Sequence, residues 1–114
     1  MYSIDVRGLI DTGATTSGLR LDLVELLGLK KRDRAPVQTA NGTVLMDRFL
    51  ARIALRPDSP AVQPTSGGLF VFDREFLLQG LARDFTHELL IGMDLISRCD
   101  FSMRRSGQAS LLFD

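Results

Sequence analysis

Apolar positions along the chain fall into short runs separated by turn chemistry. Ile4, Val6 and Leu9-Ile10 form an apolar lead that stops at Asp11-Thr12-Gly13. This reads as a strand entering a tight loop, because glycine reaches backbone angles closed to other residues. After Ser17 the period changes. Leu19, Leu23, Leu26 and Leu27 have helical spacing and Gly28 is placed as a stop, so the pattern predicts a short helix over Arg20 to Leu27. Lys30-Lys31-Arg32-Asp33-Arg34 then reads as a solvated connector. A hairpin follows, in which Pro36 to Ala40 runs into Asn41-Gly42, a strong two-residue turn signal. The return arm, Thr43 to Leu55, is long for a strand. Val44 and Met46 point one way, whereas Phe49, Ala51, Ile53 and Leu55 alternate one residue out of phase, which predicts a bulge or bend near Asp47-Arg48.

The second half alternates strands with breakers. Arg56 to Gly67 holds three of the four prolines and reads as a loop. Leu69 to Phe72 reads as a strand, and Glu75 to Leu81 as either a continued strand or one helical turn. Leu89-Leu90-Ile91 is a short buried strand ending at Gly92, and Met93 to Cys99 a closing helix, with Asp94 a structural residue of its first turn. Asp100 to Met103 and Ala109 to Phe113 read as a final hairpin around Ser106-Gly107. The pattern therefore predicts one mainly β domain over residues 1–114 with two short helices.

Composition removes several function classes. Hydrophobic residues make up 45% and charged residues 25%, the balance of an ordinary globular chain. Fourteen basic residues offset fourteen acidic ones, which removes the electrostatic case for a nucleic-acid partner. The single cysteine, Cys99, excludes an internal disulfide framework and a multi-cysteine zinc site, and the single histidine, His87, excludes a multi-histidine centre. No metal and no cofactor are expected. No apolar run approaches the roughly 20 residues that span a bilayer, so no membrane partner is expected. Asp5 and Arg7 interrupt what would be the core of a signal peptide, and a cytoplasmic, reducing setting is the expectation.

Chemistry concentrates at Leu9-Ile10-Asp11-Thr12-Gly13-Ala14-Thr15. An apolar strand delivers a carboxylate into a small-residue turn, where backbone N–H groups can hold it and where Gly13 and Ala14 leave room for an extended peptide or a water. Alone, this segment reads equally as an Asx-turn in which Asp11 only satisfies turn amides. A second segment, Glu88-Leu89-Leu90-Ile91-Gly92-Met93-Asp94-Leu95-Ile96, changes the balance. With both in hand the chain resembles the retropepsin-like aspartic proteases, the single-lobed enzymes of retroviruses, retrotransposons and their cellular and bacterial relatives. Those proteins carry a hydrophobic-hydrophobic-Asp-Thr/Ser-Gly-Ala motif, then a flap hairpin with a long second arm, then a hydrophobic-hydrophobic-Gly segment opening a C-terminal helix. Here the hairpin of Asn41-Gly42 sits between the two motifs, in the same order.

The resemblance implies a closed, mainly β acid-protease barrel and a homodimer that cleaves a peptide or protein substrate. Asp11 of each subunit would form the catalytic pair. Thr12 would bond across it, and Thr12, Gly13 and Ala14 would form the active-site loop, with Gly13 accepting substrate backbone. Ala40, Asn41, Gly42 and Thr43 would form the flap tip, and Ile91 and Gly92 would support the loop from beneath. The sequence departs from the retroviral pattern in places. Thr15 and Met93 stand where retroviral enzymes carry an acidic residue and its arginine partner. Ten residues precede Asp11, a shorter lead than usual. Either part of the lead is missing, or Ala109 to Phe113 replaces its terminal strand, or the dimer is built differently. A non-catalytic dimeric peptide-binding or scaffolding module is the alternative function, and a small structural β domain the third.

Overall fold

The structure is a computed structural model that describes residues 3–55, 70–103, 105 and 109–112. In chain order the elements are β1 (Gly8–Ile10), β2 (Gly18–Arg20), α1 (Leu21–Leu27), β3 (Lys31–Thr39), β4 (Gly42–Ala51), β5 (Ala54–Leu55), β6 (Phe70–Val71), β7 (Phe76–Leu81), β8 (Leu89–Ile91), α2 (Met93–Ile96), β9 (Asp100–Met103) and β10 (Ala109–Leu112). Six strands form one mixed sheet in the order β1-β8-β2-β7-β4-β3. Strands β9 and β10 pair with each other, as do β5 and β6. The mainly β class with two short helices is present. The expected closure into a barrel is not: among the described residues the sheet is open, with β1 and β3 as its edges.

The arrangement of β1, β8 and β2 is what builds the site. Strand β8 lies between β1 and β2, parallel to the first (Leu9 opposite Leu90) and antiparallel to the second (Leu19 opposite Leu89). The loop joining β1 to β2 must therefore pass over the C-terminal end of β8, where α2 begins. Strand β2 was hidden in the sequence. Three residues are too few to show an alternation, and Leu19 also fits the helical spacing of the residues after it. Helix α1 starts one residue later than predicted and ends as expected. Gly28 takes φ 64 and ψ 33, and Leu29 N–H closes back on Val24 C=O at 3.1 Å, a left-handed stop that only glycine makes without strain. The ambiguous Glu75 to Leu81 segment is a central strand, β7. It pairs with β2 and β4 and is buried at Phe76, Leu78, Gln79, Gly80 and Leu81, which explains why it lacks alternation.

Four expectations for the hairpin are corrected. The charged run Lys30 to Arg34 is not a connector, because β3 begins at Lys31. Its charges face opposite charges on β4: Arg48 meets Asp33, and Asp47 meets both Lys31 and Arg34. The turn pivots on Ala40-Asn41, one residue early, and Gly42 opens β4 with φ 110. The irregularity lies level with Arg48, as predicted, but the extra residue is Arg32 on β3, since Lys31 faces Phe49 while Asp33 faces Arg48. The return arm is also two strands. Strand β4 ends at Ala51, and Ala54-Leu55 pair separately with β6. The proline-rich loop from Arg56 to Gly67, Leu69, the Ser106-Gly107 turn and Phe113 lie outside the described residues.

The core is one cluster that includes Leu19, Val24, Phe49, Leu78, Ile91, Leu95 and Ile96, with Leu95 fully buried. Phe72 and Phe76 meet edge to face, centroids 5.3 Å apart. A hollow of about 950 Å³ opens between Ile4 and Val6 on one side and Leu50 to Leu55 on the other, floored by Leu78, Leu89 and Leu95. Helix α2 is shorter than predicted. Regular winding ends at Ile96, and Arg98 and Cys99 continue with tighter bonds to the carbonyls three residues back.

Candidate active site

Asp11 leaves the end of β1 with its backbone already fixed. Its N–H donates to Ile91 C=O at 2.9 Å, continuing the β1–β8 ladder by one residue, and its C=O accepts the Ala14 N–H at 3.1 Å. The Gly13 N–H donates to Asp11 Oδ1 at 2.9 Å. The side chain thus makes the Asx-type contact that the sequence allowed, and this contact also aims the carboxylate. A Cβ on residue 13 would lie 3.2 Å from Oδ1, close enough that any side chain there would crowd the carboxylate. Asp11 is half-buried, and Thr12 and Gly13 are exposed beside it. The site is an accessible carboxylate on a rigidly held backbone.

Beneath the loop lies the second motif. A Cβ on Gly92 would stand 2.8 Å from the Thr16 carbonyl carbon and oxygen and 2.9 Å from Ala14 O. These are backbone atoms that cannot swing aside, so the loop can rest here only over a glycine. Two α2 amides then reach up, Met93 N–H to Ala14 C=O at 2.8 Å and Asp94 N–H to Thr15 C=O at 3.1 Å. The structure thus brings Asp11, Thr12, Gly13, Ala14, Ile91 and Gly92 together at one end of the sheet.

The flap residues Ala40, Asn41, Gly42 and Thr43 form the tip of the β3–β4 ribbon. Among the described residues β4 pairs with β7 from Arg48 to Ala51, and from Gly42 to Asp47 its ladder partner is β3.

Several residues at the site carried no signal in sequence. Ser17 is fully buried, with its Oγ donating to Asp94 Oδ1 at 2.7 Å and accepting the Gly92 N–H at 2.9 Å. Gln79 reaches from β7 to donate Nε2 to the Thr16 hydroxyl, and its N–H donates to Ser17 C=O at 3.0 Å. In the sequence Ser17 is one of a run of hydroxyl residues, Thr15-Thr16-Ser17, and Gln79 interrupts an apolar run. What they bond is not visible there, since Ser17 and Asp94 are 77 positions apart. Asp94 is a structural residue of the first turn of α2, as the pattern predicts, and its carboxylate faces the Asp11 loop. Among the described residues no group of three or more His, Cys, Asp or Glu side chains gathers as a metal site. No described helix is long and apolar enough to cross a membrane.

Comparison with curated proteins and with solved structures yields no match. A family model described as aspartyl protease matches residues 3–95, which takes in both motifs and the hairpin between them. Its span ends within α2, just past the residues that support the Asp11 loop. The chain belongs to this aspartyl protease family, which is of the retropepsin-like type.

Proposed function

We propose that the protein is an aspartic endopeptidase that works as a homodimer, with Asp11 of each subunit forming one catalytic pair. The observation that carries this is the carboxylate of Asp11, held at Oδ1 by the Gly13 N–H, half-exposed at the mouth of a loop whose backbone is tied to β8 and α2. The sequence holds one Asp-Thr-Gly element, so a two-carboxylate site needs a second copy. Leu9 and Met93, large apolar side chains next to that loop in β1 and α2, are 40% and 39% exposed, which supplies apolar surface for such a copy.

The mechanism follows from electrostatics. Two carboxylates about 3 Å apart share one proton, because both cannot ionise at that distance. The ionised member takes a proton from a water as its oxygen attacks the scissile carbonyl carbon, and the protonated member donates to the carbonyl oxygen. The resulting gem-diol collapses when the amide nitrogen is protonated and the C–N bond breaks, leaving a carboxylic acid and an amine. Thr12 bonds across the pair, Gly13 accepts substrate backbone, and the Ala40 to Thr43 tip folds over an extended peptide.

The test is Asp11→Asn in the full chain, assayed on fluorescein-labelled casein. Cleavage should fall by at least roughly 10²-fold, the lower range for removing an acid–base group. The mass in solution should stay at twice 12.6 kDa. Retained cleavage by the variant overturns the assignment. A native dimer that binds peptide without cutting it would instead make the domain a binding module.

A further inference from the structure

We propose that Ser17 and Asp94 form a clamp that positions the catalytic loop, an inference that rests on the peptidase reading of Asp11. The clamp is built from three hydrogen bonds around one buried hydroxyl. Ser17 N–H donates to Asp94 Oδ2 at 3.1 Å, Ser17 Oγ–H donates to Asp94 Oδ1 at 2.7 Å, and the same Oγ accepts from Gly92 N–H at 2.9 Å. The carboxylate therefore uses both oxygens on one residue, and the serine uses its donor and an acceptor position together. A hydroxyl bond to a carboxylate is stronger than a neutral one, and at 2.7 Å this one has a well-formed O–H···O distance. Asparagine replaces this acid poorly. Its oxygen can accept from the Ser17 N–H and its NH₂ can donate to Ser17 Oγ, but the hydroxyl proton then loses the carboxylate, and the NH₂ faces the Leu95 N–H that Oδ1 accepts at 2.9 Å.

The consequence lies in where the clamp acts. The loop from Asp11 to Ser17 is fixed at its start by Ile91 and in its middle by the Met93 and Asp94 N–H groups. Its far end is fixed by the Asp94 carboxylate and, through Thr16 and the Ser17 carbonyl, by Gln79. With the clamp intact, every segment of the loop is referenced to β8, α2 or β7. Without it, the end nearest β2 loses its tie to α2, and the Gly92 amide loses its acceptor at the tightest approach in the site. Displacements on the order of 1 Å at such a centre cost about 10²-fold in rate. Neither Ser17 nor Asp94 touches the reacting atoms in this account. Both are positioning residues.

The experiment uses Asp94→Asn and Ser17→Ala in the full chain, with Asp94→Ala as a third, more severe variant. Two readouts are taken: kcat and KM on labelled casein, and amide hydrogen exchange at Ser17 and Gly92. Both milder variants should lose about 10- to 100-fold in kcat with KM changed less than about threefold, and Asp94→Ala should lose more. Exchange at Ser17 and Gly92 should quicken at least about tenfold while the α1 amides stay as protected as in the parent. If the parent cleaves casein and the variants keep its kcat, or if they only melt earlier with kcat unchanged, the clamp is overturned. Unchanged exchange at Ser17 and Gly92 overturns it as well. If the parent itself cleaves nothing, the peptidase reading fails, and the exchange measurement still decides whether the clamp exists. Should Asp94→Asn not fold, Ser17→Ala, which removes a single oxygen, carries both readouts.

Discussion

The loop that bears Asp11 and the ribbon formed by β3 and β4 are built on opposite principles. The loop sits on buried residues, with Ser17 and Leu95 fully buried and Ile91 nearly so, and its Asp11 N–H and its Ala14, Thr15 and Ser17 carbonyls bond to β8, α2 and β7. Among the described residues no buried side-chain polar atom lacks a partner. The ribbon instead forms the edge of the sheet. Among the described residues its ladder partner from Gly42 to Asp47 is β3, and Val44 and Leu45 are 47% and 62% exposed. A two-stranded ribbon without a core is marginal in water by itself. What secures this one is its base, where Arg48 to Ala51 pair with β7 and Phe49 is buried in the core; beside it Arg48 makes a two-pronged pair with Asp33 (2.7 and 2.6 Å) and Asp47 bridges Lys31 and Arg34. The contrast teaches where precision is needed. On the proposed function, the carboxylate that pairs with a second copy sits on the more fixed backbone, and the hairpin that closes over a peptide is the element with an exposed end.

The largest effect should come from forcing the loop off its support. Gly92→Ala places a methyl 2.8 Å from the Thr16 backbone, so the loop must shift. Overpacking of this kind costs about 1–3 kcal/mol. A thermal melt should show that loss, and casein cleavage should fall further than the stability change accounts for. An undiminished cleavage rate would mean that the contact does not set the position of Asp11.

On the ribbon the same measurements should separate. Leu45→Ser removes an exposed apolar side chain, so stability should stay within about 0.5 kcal/mol. KM should rise severalfold, because the tip loses apolar surface against an extended peptide. A large drop in melting temperature would show that the tip packs on the body of the protein, and would erase the contrast.

The smallest effect should be a dependence on pH confined to the ribbon. Arg48 holds the Asp33 carboxyl below its ordinary value of 3.8, and Arg34 with Lys31 does the same for Asp47. A carboxylate whose folded value is depressed contributes stability above the unfolded value and loses it as pH falls through the folded one. The ion pairs should therefore hold at neutral pH and fade only below about 3.8. These pairs are exposed, so global unfolding should scarcely register them. Amide exchange along β3 should quicken below that pH before exchange around Asp11 does. Equal loosening of both regions would place the acid sensitivity elsewhere.

Legibility in the sequence followed the range of the forces involved. Gly28 ends α1 because a left-handed residue is a local demand, and Asn41-Gly42 marked the hairpin for the same reason, although the turn itself lies one residue earlier. Lys30 to Arg34 read as a connector because its partners, Asp47 and Arg48, lie across a register that no local pattern displays. Glu75 to Leu81 is ambiguous in the sequence because β7, a strand covered on both faces, loses its alternation. The absence of barrel closure was equally out of reach, since closure depends on which edges meet.

By itself the sequence determined the mainly β class, the order of the two motifs with a hairpin between them, and Asp11 as the acidic residue delivered into a tight turn. These are carried by neighbouring residues, through turn chemistry and periodicity. Only the tertiary structure decided that β8 slides between β1 and β2, that Gly92 is the one residue small enough to lie under Thr16, and that Asp94 turns its carboxylate onto Ser17. Those depend on residues far apart in the chain, 75 positions for Ser17 and Gly92 and 77 for Ser17 and Asp94, meeting within hydrogen-bond distance, and distance along the chain says nothing of that until the sheet has formed.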